Sequence, residues 1–261
     1  MARRPIIDPT SSQFLRGVTI DRDAIPNPSA YPFALPAFAN LERVDLHPHV
    51  TYVIGENGSG KSTLLEALAV IAGFNPEGGS RNFNFATRES HSELSRYMRP
   101  LRGIRRPSDG YFLRAESFYN VASEIERLDA EGGGPRIIDS YGGIPLHEQS
   151  HGESFFALFL NRLGGAGLYL FDEPEAALSP TRQLAFIARL HQLVQLESQF
   201  IIATHSPIIM AYPSSRILQL SDEGIREVQY EETEHYAITR DFLDHRESML
   251  RILMEEDDDG D

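Results

Sequence analysis

Short runs of apolar residues, separated by amphipathic stretches, recur along most of the chain. Residues 49–54 and 168–171, with the short run 200–203, are nearly continuous apolar segments of strand length, as strands buried on both faces are. Residues 64–71 read as the start of a helix, 155–163 as an apolar helix and 181–196 as an amphipathic helix. Residues 217–220 and 225–230 form a predicted hairpin around Asp222, Glu223 and Gly224. Upstream, residues 14–20 and 41–46 are β-like, joined by a connection containing Pro26, Pro28, Pro32 and Pro36. Alternating short strands and helices predict an α/β fold: a mostly parallel sheet with helices on its faces and an antiparallel β portion at the N-terminus.

The middle of the chain breaks this rhythm. Residues 81–150 are more polar and arginine-rich, interrupted by Gly132, Gly133, Gly134 and Pro135. Within them, 110–114 reads as a strand and 117–129 as a helix whose apolar stripe is Phe118, Val121, Ile125 and Leu128. The simplest reading is a helical subdomain, roughly 81–165, inserted into the sheet of a single domain spanning 1–261. Residues 239–254 are helix-like, and the acidic stretch 255–261 reads as a disordered tail.

With 261 residues, 41% hydrophobic and 24% charged, the composition is that of an ordinary globular protein. There is no cysteine, which excludes disulfides and thiolate metal sites and fits a reducing cytoplasm. No apolar run approaches the length of a membrane span, so membrane insertion is not expected. A net charge of −14 argues against strong nonspecific nucleic-acid binding by the whole molecule. Against that background Arg96, Arg99, Arg102, Arg105 and Arg106 cluster in one short segment, where local attraction to phosphate remains open beside an ordinary solvated or ion-paired face.

The strongest chemical signal is Gly55-Glu56-Asn57-Gly58-Ser59-Gly60-Lys61-Ser62-Thr63, which fits Gly-x-x-x-x-Gly-Lys-Ser/Thr between a strand and a helix. Its glycines let the backbone curl with N–H groups turned inward, and the following helix adds its positive end, so the loop suits a nucleoside triphosphate. Lys61 would reach the β- and γ-phosphates and the Ser62 hydroxyl would ligate Mg²⁺. The run Leu168-Tyr169-Leu170-Phe171-Asp172-Glu173 is an apolar strand ending in acids. It places Asp172 to hold the metal opposite Ser62 and Glu173 as general base for the attacking water.

Three further elements give this pair a family. Ser150-His151-Gly152-Glu153, before an apolar helix, resembles the LSGGQ signature of ABC-type ATPases; it also fits a Ser N-cap with Glu153 completing a capping box. Asp172-Glu173-Pro174-Glu175-Ala176-Ala177-Leu178-Ser179-Pro180 resembles a Walker B and D-loop run. Ala203-Thr204-His205-Ser206-Pro207 resembles the switch-histidine element. All arrive in the family's order, over roughly residues 44–220. The resemblance implies a P-loop ATPase of ABC type that uses ATP and Mg²⁺ and closes head-to-tail as a homodimer. In it, Ser150, Gly152 and Glu153 of one chain grip the ATP held by the other, and Lys61, Glu173 and His205 serve catalysis.

Three departures stand out. Where the family has a Q-loop Gln, the chain offers Arg114 or Glu116, the latter a candidate metal contact or surface residue. Ser179 replaces the D-loop Asp. Tyr31, Phe33 and Phe38 are candidates for the adenine-stacking aromatic, with core packing as the alternative for each. The motifs look like those of the soluble branch, and in particular of small stand-alone bacterial "AAA family" ATPases related to SMC and RecF-like heads. Only residues 62–149 separate phosphate loop from signature, too little for coiled-coil arms. Such a protein would couple ATP to DNA maintenance, repair or defence, with Arg96–Arg106 as the DNA contact; the alternative is a switch acting on a protein partner such as a nuclease or toxin. A transporter subunit is the remaining alternative.

Overall fold

The computed structural model describes residues 13–80, 92–114, 118–132 and 134–254. Two sheets organise it. The smaller is antiparallel, with β1 (Leu15–Ile20) between β2 (Arg43–Asp45) and β4 (Met98–Arg102). The larger has six strands in the order β5 (Asp109–Arg114), β6 (Gly167–Asp172), β7 (Gln199–Ala203), β3 (Val50–Gly55), β8 (Arg216–Ser221) and β9 (Gly224–Val228). All its pairings are parallel except the closing β8–β9 hairpin. The predicted α/β architecture, mainly parallel with an antiparallel N-terminal portion, is the one observed.

Strand β6 shows why its sequence is apolar from Leu168 to Phe171. Leu168 and Leu170 pack into the core beneath α2 (Lys61–Ala72), with Leu64, Leu65 and Leu68. Tyr169 and Phe171 enter the core on the opposite face, covered by α3 (Phe118–Glu131), α4 (His151–Ala157) and α5 (Pro180–Gln195). A strand buried on both faces has no position left for a solvated side chain. In the second core Phe159 stacks on Phe186 with ring centroids 4.3 Å apart. Each fully buried phenyl contributes about 1.5–3 kcal/mol in removed apolar surface.

The two sheets share one core, with Val18, Val44 and Met98 beside Val53, Leu170 and Ile201, and one amide bridges them. Gln199, fully buried on β7, accepts from the Phe14 and Leu15 N–H groups at 3.1 and 2.9 Å and donates to Leu15 O and His47 O at 2.7 and 3.0 Å. All the hydrogen-bonding capacity of the side chain is used, as burial of an amide demands.

The arginine-rich middle holds the strand and the helix expected near 110–114 and 117–129, together with one strand that was not expected. Residues 98–102 are an edge strand of the antiparallel sheet, and 109–114 an edge strand of the parallel one. Among its described residues a short 3-10 turn spans Glu93–Tyr97, and α-helix begins at Phe118. Pro100 is tolerated in β4 because an edge strand pairs on one side only. The helix expected over 155–163 is α4 followed by a turn of π-helix, Leu158–Arg162. The helix-like 239–254 is two helices, α6 (Glu234–Asp244) and α7 (Arg246–Met254), and it begins earlier than expected. The acidic stretch 255–261 lies outside the described residues. No helix among the described residues is long and apolar enough to cross a membrane.

Candidate active site

Parallel strands end together, so their C-terminal loops share one edge of the sheet. Register fixes which residues meet there: Arg114 lies opposite Asp172, Asp172 opposite Ala203, and Ala203 opposite Val53. The loop after β3, the acids after β6 and His205 after β7 are thus brought side by side.

Residues 55–60 curl between β3 and α2, with Gly55, Gly58 and Gly60 all at positive φ. Gly60, at φ 103°, has no room for a side chain; a Cβ there would lie 2.9 Å from the ring of Phe38. Lys61 is 4% exposed, and its ammonium donates to Gly55 O at 3.0 Å and Glu56 O at 2.9 Å. Burial lowers its pKa, opposed by Glu173, Asp172 and Glu175. The Ser62 hydroxyl donates to Asp172 Oδ1 at 3.1 Å across the gap between α2 and β6.

The donor set suits Mg²⁺ and a triphosphate. The Ser62 and Asp172 oxygens form a hard oxygen-ligand pair of the kind Mg²⁺ takes when phosphate and water complete its shell. Among the described residues, no three His, Cys, Asp or Glu side chains cluster to hold a metal alone. Within the loop, the Ser59 hydroxyl is buried without a hydrogen-bond partner, a donor ready for an anionic oxygen.

Glu173 adopts the left-handed conformation, φ 51° and ψ 56°, rare for a residue with a side chain. Its N–H donates to Ala203 O at 2.9 Å, which locks the turn to β7. Its carboxylate Oε1 is 3.5 Å from His205 Nε2, and that nitrogen is buried with no hydrogen-bond partner. Burial and Lys61 lower the pKa of His205, against the raising influence of Glu173.

Glu175, absent from the sequence-based candidates, proves to be the anchor of the histidine loop. It accepts the His205 N–H at 2.5 Å and the Thr204 hydroxyl at 2.8 Å. Burial raises its pKa, opposed by these hydrogen bonds. The second missed residue is His235 on α6, whose Nε2 is 3.0 Å from His205 Nδ1. Neither carries a local sequence signal, since each acts on an element about 30 residues away.

The signature-like residues form the capping box: the Glu153 carboxylate accepts from Ser150 N–H at 3.0 Å and Ser150 Oγ at 2.6 Å. These bonds, chiefly the hydroxyl one, lower the Glu153 pKa. Gly152 packs against the turn Pro174–Ala177, where a Cβ would meet Ala177 O at 2.5 Å. No hydrogen bond or ion pair joins Ser150, Gly152 or Glu153 to residues 55–63 within the chain, among the described residues. Ser179 caps α5, accepting from Arg182 N–H at 3.4 Å.

Of the three aromatic candidates, Phe38 and Phe33 are core residues, whereas Tyr31 is 65% exposed and its hydroxyl lies 2.8 Å from Thr63 Oγ1. For Tyr31, core packing is therefore not its role. Tyr31, Ser62, Thr63, Glu66 and Arg114 line a cavity of about 350 Å³. Glu56, Asn57, Glu173, His205 and His235 line an open cleft of about 690 Å³ on the other side of the loop. Arg114 turns to Glu66 of α2, at 3.0 Å, and Glu116 lies outside the described residues.

Comparison with known proteins agrees with these motifs. A family model described as "AAA domain" matches residues 35–129, and one described as "AAA domain, putative AbiEii toxin, Type IV TA system" matches residues 88–211. A "putative ABC transporter ATP-binding protein" of Caldanaerobacter subterraneus subsp. tengcongensis is 27% identical over 189 residues, 66% of this chain and 76% of that protein. The SMC head domain from Thermotoga maritima aligns over 83% of this chain and all of its own, at 17% identity and a TM-score of 0.43. The dimeric bacterial ABC transporter cassette MJ0796 aligns over 85% and 99%, at 14% identity and 0.46. The two AAA-domain matches between them enclose the phosphate loop, the acidic strand end and the histidine, and in these segments the chain is similar to AAA-domain proteins.

Proposed function

We propose that ATP is hydrolysed at the C-terminal edge of the parallel sheet, between the phosphate loop and the Glu173–His205 pair, and that two copies of the chain close over it. The observation that carries this reading is the 3.1 Å contact between Ser62 and Asp172, which joins the loop to the acidic strand end. Backbone N–H groups of residues 55–63 and the Lys61 ammonium hold the phosphates. Ser62 and Asp172 hold the metal, and bound Mg²⁺ supplies neutralising charge at the phosphate oxygens. Glu173 takes a proton from the attacking water, and the His205 Nε2–H donates to the γ-phosphate. Tyr31 beside Thr63 borders the nucleotide's base.

Closure is needed because Ser150 and Glu153 are exposed and make no hydrogen bond or ion pair with the phosphate loop of their own chain. They are available to a second copy. Glu173→Gln should keep ATP binding, lower turnover about 10²–10⁴-fold, and elute as a dimer in ATP. Turnover at the wild-type rate overturns Glu173 as base; a monomer in ATP overturns closure.

A protein partner is a better reading than DNA for what the cycle acts on. Arg96, Arg99 and Arg105 already pair with Glu93, Asp21 and Glu197 at 2.8, 3.9 and 2.8 Å. Meanwhile α6 and α7 expose Ile238, Leu243, Ile252, Leu253 and Met254. The experiment is the ATPase rate with and without duplex and single-stranded DNA at fixed low salt. No change supports the protein reading. A severalfold stimulation, lost when Arg102, Arg105 and Arg106 are changed to Glu, overturns it in favour of DNA coupling.

A further inference from the structure

His205 is held from behind. His235 Nε2 lies 3.0 Å from His205 Nδ1, with the rings tilted at 52° and their centroids 5.2 Å apart. The start of α6 is tied to the same loop: the Tyr230 hydroxyl donates to Pro207 O at 2.8 Å, and Thr233 Oγ1 bonds Tyr230 O at 2.8 Å while accepting the Tyr236 N–H at 3.3 Å. The second imidazole therefore rests on a fixed support two residues beyond His205.

One hydrogen serves the contact between the rings, and its placement decides which tautomer His205 adopts. If His205 donated from Nδ1, its Nε2 would turn a bare lone pair toward Glu173 Oε1, 3.5 Å away. Two electron-rich atoms would then face each other in a partly buried cleft. If His235 donates from Nε2, His205 Nδ1 accepts and Nε2 carries the hydrogen toward the carboxylate and the cleft. The far end of His235 agrees with the second arrangement. Its Nδ1 is buried without a partner, and a lone pair there leaves no buried N–H unsatisfied. A doubly protonated pair is disfavoured, because burial, the neighbouring imidazole and Lys61 all oppose a further charge; Glu234 and Glu173 act the other way.

We propose that His235 is a positioning residue, which fixes His205 as the Nε2–H tautomer and so ties the hydrolytic site to helix α6. The inference rests on the role given to His205 above. It deepens that role: an element outside the phosphate-binding sheet then sets the donor that meets the γ-phosphate. Displacing α6 would remove the Nε2–H of His235 and release His205 to either tautomer.

The test uses the full chain with His235→Leu, His235→Gln and His205→Ala, reading kcat and KM for ATP and the imidazole ¹⁵N spectrum. The Gln amide nitrogen sits near the position of the histidine Nε2 and restores the donor. His235→Leu should lower kcat about 10-fold with KM within about twofold, and His235→Gln should recover most of the loss. The spectrum should show His205 protonated at Nε2 in the wild type and in His235→Gln, and a mixture of tautomers in His235→Leu. An unchanged His205 tautomer in His235→Leu overturns the proposal, as does a His235→Gln enzyme as slow as the Leu variant. If His205→Ala turns over at the wild-type rate, the catalytic role of His205 is what fails; the spectrum then decides the tautomer contact by itself.

Discussion

The two sheets put their charges to opposite uses. At the edge of the parallel sheet Lys61 and Asp172 are 4% and 7% exposed, and the charges there converge on one small space. On the antiparallel sheet and the turns beside it, Arg96, Arg99 and Arg105 lie 45% or more exposed, each matched to a separate carboxylate. Charges excluded from water interact strongly and with direction, whereas exposed pairs contribute only about 0–1 kcal/mol. The same residue types thus make a buried, convergent cluster in one place and a solvated face in the other, and burial is the difference.

That contrast predicts a gradient of effects. Lys61→Ala should abolish ATP binding and lower turnover by at least about 10²-fold, measured by nucleotide titration and phosphate release. Retained binding would mean that the buried edge is not where phosphate sits. Glu175→Ala, which strips the acceptor from two donors, should cost about 1–3 kcal/mol in denaturant unfolding and slow turnover by misplacing His205. An unchanged midpoint would remove Glu175 from the set of buried anchors.

Acid should act on the site and on the far end of β3, where His47 and His49 precede Val50. His47, His49, His205 and His235 all have pKa values lowered from 6.5, each mainly by burial. The unfolded chain therefore binds protons that the folded one refuses, so their contribution is present above pH 6.5 and is lost as pH falls through the folded values. Glu175, with its pKa raised chiefly by burial, acts in the opposite direction as pH falls. The melting temperature should fall steadily from pH 7 to pH 5, a trend that a flat profile would contradict. Arg105→Ala, at the exposed end of the comparison, should change stability by less than about 0.5 kcal/mol.

How much of this was legible in the sequence follows the same division. Strands β3, β6 and β7 are largely apolar runs because both faces are covered, and the phosphate loop is a local signal whose glycines answer to local geometry. Strand β4 was hidden. Arg99, Pro100 and Arg102 interrupt any alternation, and only pairing with β1 makes the segment a strand. Its arginines and proline suit an open edge, where they discourage pairing with another chain. Glu175 and His235 were hidden for another reason: each meets His205 through the fold, so no spacing in the sequence marks them. Tyr31 was separated from Phe33 and Phe38 only by burial.

The left-handed turn at Glu173 has a consequence for anyone improving this protein by selection. A glycine there would relieve backbone strain of about 1–2 kcal/mol, while removing the carboxylate beside His205. A library screened for heat resistance alone would enrich Glu173→Gly and discard turnover with it. A residue that strains this corner of the fold would then be lost from a population that no longer had to hydrolyse anything.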